Sequence, residues 1–250
     1  MNYQGPDNRR LHCEAVPALN LLAFDTSTER LSVALSWTQG GAQCLLVREG
    51  EGGREASATL IPAAMDLLRE AGLSLAGLEA IVFGSGPGSF TGLRTACSVA
   101  QGLAFGASRP VLPVETLLAV AEEARHARGA TRVLALLDAR MDEVYAAAYV
   151  HDGQAWRRDG PITLARPESV VLPEGFVLAG NAFAAYGDRL PAGTRIVALP
   201  SAAAMLRLAP GLIAAGGAVP AHEALPLYVR DKVAQTTEER AAQRAARGAA

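Results

Sequence analysis

The sequence predicts an α/β protein with mixed β-sheets, and three observations support this fold class. Short apolar runs typical of buried strands recur along the chain, beginning with Leu21–Asp25. Stretches with apolar residues at helical spacing lie between them, in the order β-β-β-α-β-α-β-α, which is typical of an α/β fold with a mixed sheet. The opening pattern of strand, polar turn and strand then returns from Leu134.

The elements of the first half follow in chain order. After the first strand, a polar turn leads into further apolar runs, and the predicted strands are 21–25, 31–37, 44–50, 80–86 and 111–116. A helix is predicted at 55–71, where Pro62 indicates a kink or a late start. Two more helices are predicted at 91–106 and 115–127.

An internal repeat predicts two related lobes. LLAFDTSTERLSVALSW aligns with LALLDARMDEVYAAAYV, which places Asp25 over Asp138 after four apolar residues in each copy. A weaker match pairs AIVFG, ending at Gly84, with FVLAG, ending at Gly180. Few identities support the alignment, so chance similarity is the alternative. This pattern is that of the actin-like (ASKHA) fold, which has two lobes that each begin with a hairpin carrying an acidic residue at a strand end. In that fold, each lobe has a mixed sheet flanked by helices.

The predicted organisation has four parts. They are a flexible leader at 1–19, a first lobe at 20–116 with 225–234 packing back on it, a second lobe at 117–224, and a disordered or frayed tail at 235–250.

Composition limits the classes of function. The 250 residues carry a formal net charge of −2 without a basic stripe, so any RNA substrate is expected to be held by another component. The cysteines are few, far apart and outside any CxxC motif, which indicates free thiols in a reducing compartment: Cys13, Cys44 and Cys97. No signal peptide and no apolar run of about 18 residues are present, so a cytoplasmic location is expected.

Motifs for catalysis are missing, so we predict no catalytic residue, no metal site and no cofactor bound for catalysis. The histidines form neither HxxxH nor HExxH, and the expected interpretation is surface or loop positions for His12, His126, His151 and His222. Ser85 and Ser89 do not lie in a G-x-S-x-G nucleophile turn.

The glycine-rich stretch GSGPGSFTGLR invites a phosphate-loop interpretation. It lacks the P-loop lysine, and Thr91 stands where the third Rossmann glycine belongs. Because the stretch leads into a helix, whose N-terminus attracts anions, weak anion binding stays open. The residues predicted to line a cleft or contact an anion are Asp25, Thr26, Ser27, Gly84, Gly86, Gly88, Ser89, Asp138 and Arg140.

Four segments carry a resemblance to a known family: LLAFDTSTERLSVAL, FGSGPGSFTGLRTACSVAQGLAFG, LLDARMDEVYAA and LPLYVRDKVA. Together they resemble the bacterial TsaB family over residues 21–234, nearly the whole chain. TsaB is the dimerisation subunit of the complex that makes threonylcarbamoyladenosine at position 37 of tRNA. The resemblance implies an actin-like scaffold without its own catalytic centre. One departure is Ala56, where family members often carry a histidine.

The implied partners are a TsaD-type catalytic subunit forming a heterodimer, a TsaE-type ATPase, and tRNA reached only through the complex. For the chain without its partner, the sequence leaves both a homodimer and a monomer open. Two alternatives of other classes are an actin-like ATPase or small-molecule kinase acting alone, and a metallopeptidase of the glycoprotease type.

Small residues recur every fourth position on the helix after the loop, at Gly92, Ala96, Ala100 and Ala104. This pattern allows close helix approach, either within the chain or to a partner of like fold, and the resemblance favours the partner. The predicted interface residues are Leu60, Ala64, Leu67, Leu68, Gly92, Thr95, Ala96, Val99, Ala100 and Ala104. The charged cluster around Asp138 and Arg140 is either a solvated turn or a contact to the partner or the cleft.

Overall fold

The computed structural model describes residues 19–53 and 55–230. Its strands are β1 Leu21–Asp25, β2 Arg30–Gln39, β3 Ala42–Glu51, β4 Ala80–Gly86, β5 Val111–Glu115, β6 Arg132–Arg140, β7 Glu143–His151, β8 Trp156–Arg158, β9 Thr163–Ala165, β10 Val177–Gly180 and β11 Arg195–Val197. Its α-helices are α1 Ala56–Ala71, α2 Phe90–Ala107, α3 Thr116–Arg128, α4 Phe183–Tyr186 and α5 Ala202–Ala214.

The two sheets repeat one topology. The first has the order β3-β2-β1-β4-β5, in which β1 is antiparallel to β2 and parallel to β4. The second has the order β11-β10-β6-β7-β8, in which β6 is antiparallel to β7 and parallel to β10. Each sheet continues with a further parallel pair, β4–β5 in one and β10–β11 in the other. The predicted fold class of two related lobes with mixed sheets is therefore confirmed.

Helices cover the sheets because each strand alternates apolar residues between two faces. On one face of the first sheet, Leu22 and Phe24 pack in the same cluster as α1 and α2. On the other face, Leu21 and Ala23 pack against α5. On the second sheet, Leu137 shares a cluster with α3. We refer to the first sheet with α1, α2 and α5 as the first lobe, and to the second sheet with α3 and α4 as the second lobe.

Several predicted elements correspond closely to the observed ones. The predicted strands at 21–25 and 80–86 have the bounds of β1 and β4. The late start suggested by Pro62 is wrong, because α1 begins at Ala56 and contains this proline. Helix α5, from the stretch assigned to the second lobe, packs on the first sheet. The predicted leader up to residue 18, the tail and the end of the 225–234 segment lie outside the described residues.

Candidate functional site

Asp25, at the end of β1, is fully buried beneath the space between the lobes. Its Oδ1 accepts hydrogen bonds from Ser27 N at 3.0 Å and Ser27 Oγ at 2.7 Å. Its Oδ2 has no hydrogen-bond partner among the described residues. Burial raises the pKa of this carboxyl to about 6, opposed by the two hydrogen bonds from Ser27.

The carboxyl of Asp25 is covered by neighbouring parts of the first lobe. A side chain at Gly84 would collide with Oδ2, and the same position faces the end of Met205 on α5. Gly84 therefore gives the buried carboxyl room, and Asp25 does not reach the cleft. A metal or phosphate ligand needs an exposed oxygen, which Asp25 lacks in this arrangement.

The glycine-rich loop lies directly on the β1–β2 turn. Ser89 N donates to the Ser27 carbonyl at 2.7 Å, and Thr26 Oγ1 donates to the Gly92 carbonyl at 2.7 Å. A Cβ at Gly88 would stand 2.6 Å from the Ser27 backbone oxygen, and one at Gly92 would collide with the Thr26 carbonyl. These glycines allow the backbone of the loop to touch the backbone of the β1–β2 turn. This close contact explains why the motif contains glycine, and no phosphate ligand is needed to explain it.

Ser89 is the N-cap of α2. Its Oγ accepts a hydrogen bond from Gly92 N at 3.4 Å, satisfying one of the free donors at the helix start. The loop is thus an ordered entry into a capped helix.

A cavity of about 470 Å³ lies between the lobes. It is bounded by the β1–β2 turn, the β4–α2 loop, the β6–β7 hairpin and residues 227–230. Of the predicted cleft residues, the lining includes Ser27, Gly88, Ser89, Asp138 and Arg140. The other four, Asp25, Thr26, Gly84 and Gly86, lie behind this lining and are buried.

On the second-lobe side, Asp138 is held by several partners. Arg140 Nη1 donates to Asp138 Oδ2 at 3.0 Å, and the Tyr186 hydroxyl donates to Asp138 Oδ1 at 2.8 Å. Burial and the carboxyl of Asp138 raise the pKa of Tyr186 to about 12. The Arg140 side chain is 74% exposed, so its ion pair adds little stability. The solvated-turn interpretation describes Arg140, whereas Asp138 is a structural hydrogen-bond acceptor.

The structure corrects the predicted partner interface. Eight of the ten predicted residues are buried within this chain, so their side chains do not meet a partner: Leu60, Ala64, Leu67, Leu68, Gly92, Ala96, Ala100 and Ala104. The small-residue ladder lets α2 pack on its own sheet and against α1, which was the alternative left open. Only Thr95 and Val99 of the set are half-buried.

The opposite faces of the same helices carry exposed apolar and small residues that sequence reasoning missed. Ile61 and Met65 on α1 are 43% and 38% exposed, and Phe105 on α2 is 82% exposed. Ser98 and Gly102 lie on the exposed side of α2. The 3.6-residue period that marked the core positions also defined this outer face. We call it the α1–α2 outer face, comprising Ile61, Met65, Ser98, Gly102 and Phe105.

Neither a metal-ligand cluster nor a membrane-spanning helix occurs in the described parts of the chain. Within 19–53 and 55–230, no three histidine, cysteine, aspartate or glutamate side chains are grouped to hold a metal ion. None of the helices in those ranges is long and apolar enough to cross a membrane. Cys44 and Cys97 are free thiols, and Cys13 lies outside the described residues.

Comparison with known proteins links these features to one group. Residues 51–246 match the family model described as "TsaD: tRNA N6-adenosine threonylcarbamoyltransferase". The chain is 37% identical over 227 residues to the Escherichia coli (strain K12) protein "tRNA threonylcarbamoyladenosine biosynthesis protein TsaB", covering 86% of this chain and 96% of that protein. A Haemophilus influenzae protein of the same name is 36% identical over 229 residues, covering 86% and 95%.

A solved structure shows the same fold. "YeaZ from Pseudomonas aeruginosa" superimposes with a TM-score of 0.77 at 41% sequence identity, covering 84% of this chain and 100% of the other. The similarity thus extends over both sheets and the cleft between them.

Proposed function

Because this chain belongs to the TsaB family, we propose that it takes part in tRNA threonylcarbamoyladenosine biosynthesis as a non-catalytic subunit. In this role it binds a TsaD-type catalytic subunit as a heterodimer and helps to form the surface for a TsaE-type ATPase. The tRNA is reached through the assembled complex. A homodimer through the same helices replaces the heterodimer when the partner is absent.

The state of Asp25 supports the non-catalytic part of this proposal. A group that activates water or holds a metal must reach the reacting atoms, and Asp25 is sealed behind Gly84 and Met205. The same observation argues against a lone actin-like ATPase, in which Asp25 would face the nucleotide. The cavity is lined by the β1–β2 turn, the β4–α2 loop, the β6–β7 hairpin and residues 227–230, and Asp25 is not part of this lining.

The α1–α2 outer face is the observation that carries the partner proposal. It comprises exposed apolar side chains on two helices that contact each other, together with the exposed Ser98 and Gly102 of α2. Exposed apolar anchors together with small residues that allow close approach suit a tightly packed helix–helix interface. The buried faces of the helices are fixed within their own lobe, so binding requires no unfolding of the core.

Charge substitution on this face tests the proposal. We expect Ile61→Arg with Met65→Arg to weaken TsaD binding at least about tenfold, because a buried unpaired charge at an interface costs more than 1.4 kcal/mol. The matched control is Val197→Arg on the second lobe, where the native valine is 82% exposed. Calorimetry measures both affinities, and equal affinity for all three proteins contradicts the assignment of this face.

A reconstituted assay tests the function itself. Modification of adenosine 37 is measured with TsaD, TsaE and the enzyme that forms threonylcarbamoyl-adenylate, with and without this chain. We expect modification to depend on the chain and to fall with Ile61→Arg/Met65→Arg. Full modification in its absence contradicts a subunit role.

A further inference from the structure

One segment passes from the first lobe to the second lobe at the mouth of the cleft. Residues 224–230 form neither helix nor strand and follow the last short turn of the described chain. Ala224 is fully buried, and its carbonyl accepts hydrogen bonds from Gln101 Nε2 at 2.9 Å and Cys97 Sγ at 3.4 Å, both on α2. The start of the segment is therefore fastened to the first lobe.

The middle of the segment is fastened to the end of β4. Leu227 N donates to the Ser85 carbonyl at 2.7 Å. A Cβ at Gly86 would lie 2.5 Å from the Leu227 carbonyl oxygen, and Gly86 has φ +124°, where glycine is favoured. Gly86 of the glycine-rich motif is thus needed for contact with this segment.

Tyr228 adds a side-chain contact at the same place. Its hydroxyl accepts a hydrogen bond from Arg94 Nε at 3.1 Å, and its ring lies 5.5 Å from that of Phe90. The Arg94 guanidinium also lies over the Phe90 ring at 3.8 Å, a cation–π arrangement. The N-terminal turns of α2 therefore hold the segment on the first lobe.

The far end of the segment is fastened to the second lobe through Arg230. Its Nη2 donates to the Ala139 carbonyl at 3.0 Å and to Glu143 Oε2 at 2.7 Å, and its Nη1 lies 2.8 Å from Met141 Sδ. The Arg230 side chain is only 14% exposed, so these charge-assisted bonds are partly shielded from water.

The hairpin tip that Arg230 holds has an unusual backbone. Arg140, Met141 and Asp142 all have positive φ, at 59°, 56° and 66°. Residues other than glycine take this conformation at an energetic cost that surrounding contacts must offset. Arg189 also holds this tip, through Asp142, but Arg189 belongs to the second lobe.

We propose that residues 224–230 are an interlobe strap that fixes the lobes in one relative orientation across the cleft. Its first-lobe attachments are Ala224, Leu227 and Tyr228. Its second-lobe attachments are Arg230 and, by apolar packing against the core of the second sheet, Val229. The lobes also meet where Arg207 of α5 donates to the buried Glu122 of α3 at 2.9 Å. With the strap released, this α3–α5 contact acts as the hinge about which the lobes move. The role concerns the conformation of the chain and is separate from subunit binding.

Interlobe distances in the full chain test the strap. Spin labels are placed through non-canonical residues at Thr38 in the first lobe and Ala184 in the second, both exposed. Pulsed electron resonance then gives the distance distribution for the native protein, Arg230→Ala and the matched control Arg189→Ala. We expect Arg230→Ala to broaden or shift the distribution and Arg189→Ala to leave it as in the native protein, because only Arg230 comes from the strap.

A second measurement separates release of the strap from loss of the fold. We expect hydrogen exchange in Arg230→Ala to become at least about tenfold faster in 85–89 and 224–229, with the protection of β1 and β4 unchanged. If Arg230→Ala does not fold, the milder Arg230→Gln takes its place in both experiments. A native distance distribution in the folded Arg230 variant overturns the proposal, as does an equal change in Arg189→Ala.

Discussion

At the scale of single residues, Asp25 shows how burial changes the role of a residue that looks functional in the sequence. Its place at a strand end before a polar turn is the position of a cleft residue. The side chain is instead enclosed, with Oδ2 lacking a hydrogen-bond partner among the described residues. A buried carboxylate without full compensation is unfavourable in its charged form. Asp25 therefore lowers the stability of the native state when it is ionised.

This cost has a defined dependence on pH. Burial raises the pKa of Asp25 from 3.8 to about 6, so the folded protein binds the proton more tightly than the unfolded chain does. Stability from this group is present in full below about pH 4 and is lost as pH rises through about 6. The difference between the pKa of Asp25 in the folded protein and in the unfolded chain corresponds to about 3 kcal/mol of stability.

We expect Asp25→Asn to remove this dependence. The free energy of unfolding of the variant, relative to the native protein, should rise by about 3 kcal/mol between pH 3 and pH 7. Urea unfolding across this pH range measures it. Asp66→Asn, at an exposed position on α1, is the control. If the difference in free energy of unfolding between the native protein and Asp25→Asn stays constant with pH, the raised pKa of Asp25 is contradicted.

At the scale of elements, the loop and α2 show two different uses of glycine on one helix. Gly92 lies against the Thr26 carbonyl, where no Cβ fits. Gly102 lies on the exposed side of the same helix, with nothing within 4 Å of the position a Cβ would take. The first glycine is required by contact between the β1–β2 turn and α2. The second meets nothing within this chain, so its effect on the stability of the isolated chain is to lower helix propensity.

Alanine substitutions at these two positions should therefore have opposite effects. We expect Gly92→Ala to lower the free energy of unfolding by at least about 2 kcal/mol, because backbone atoms on both sides must move. Gly102→Ala should raise it by about 1 kcal/mol. Chemical denaturation of both variants gives the comparison, and similar effects at the two sites would mean that the close approach at Gly92 is unimportant.

The elements also show which parts of the fold the sequence could predict. Long apolar runs and helical periodicity placed β1, β4, α1, α2 and α3 to within a few residues. The strands β8, β9 and β11 contain only three residues each, which is too short for a period to show. The burial of Ala96 and Ala100 against their own lobe could not be decided, because a small-residue face fits a sheet or a partner equally well.

At the scale of the whole molecule, the repeat predicted the matching hairpins that open the two lobes, but neither the parallel strand pairs nor how the lobes are joined. The position of α5 on the first sheet and the strap from Ala224 to Arg230 both depend on contacts between distant parts of the chain. Such contacts leave no periodic signal. The lobes have also diverged at corresponding sites, because Asp138 is bound to Arg140 and Tyr186, whereas Asp25 is sealed within the core.

The charge of the whole chain leads to a last prediction, about RNA. The net charge is −2, and many arginines of the described residues are paired with carboxylates, among them Arg30, Arg48, Arg125, Arg158, Arg189, Arg207 and Arg230. Binding to a nucleic acid backbone depends on cations that release counterions from phosphates. A chain whose arginines are paired with carboxylates and whose net charge is negative gains little binding free energy from counterion release.

We therefore expect the isolated protein to bind tRNA with a Kd weaker than about 100 μM at physiological salt, near the weak end of non-specific binding. Fluorescence anisotropy with labelled tRNA measures this, first for the protein alone and then with the TsaD-type subunit added. Binding should tighten only in the mixture, because in the proposed complex the partner supplies the contacts to phosphate. A micromolar Kd for the protein alone would contradict this expectation. The protein would then have a direct role in binding the tRNA.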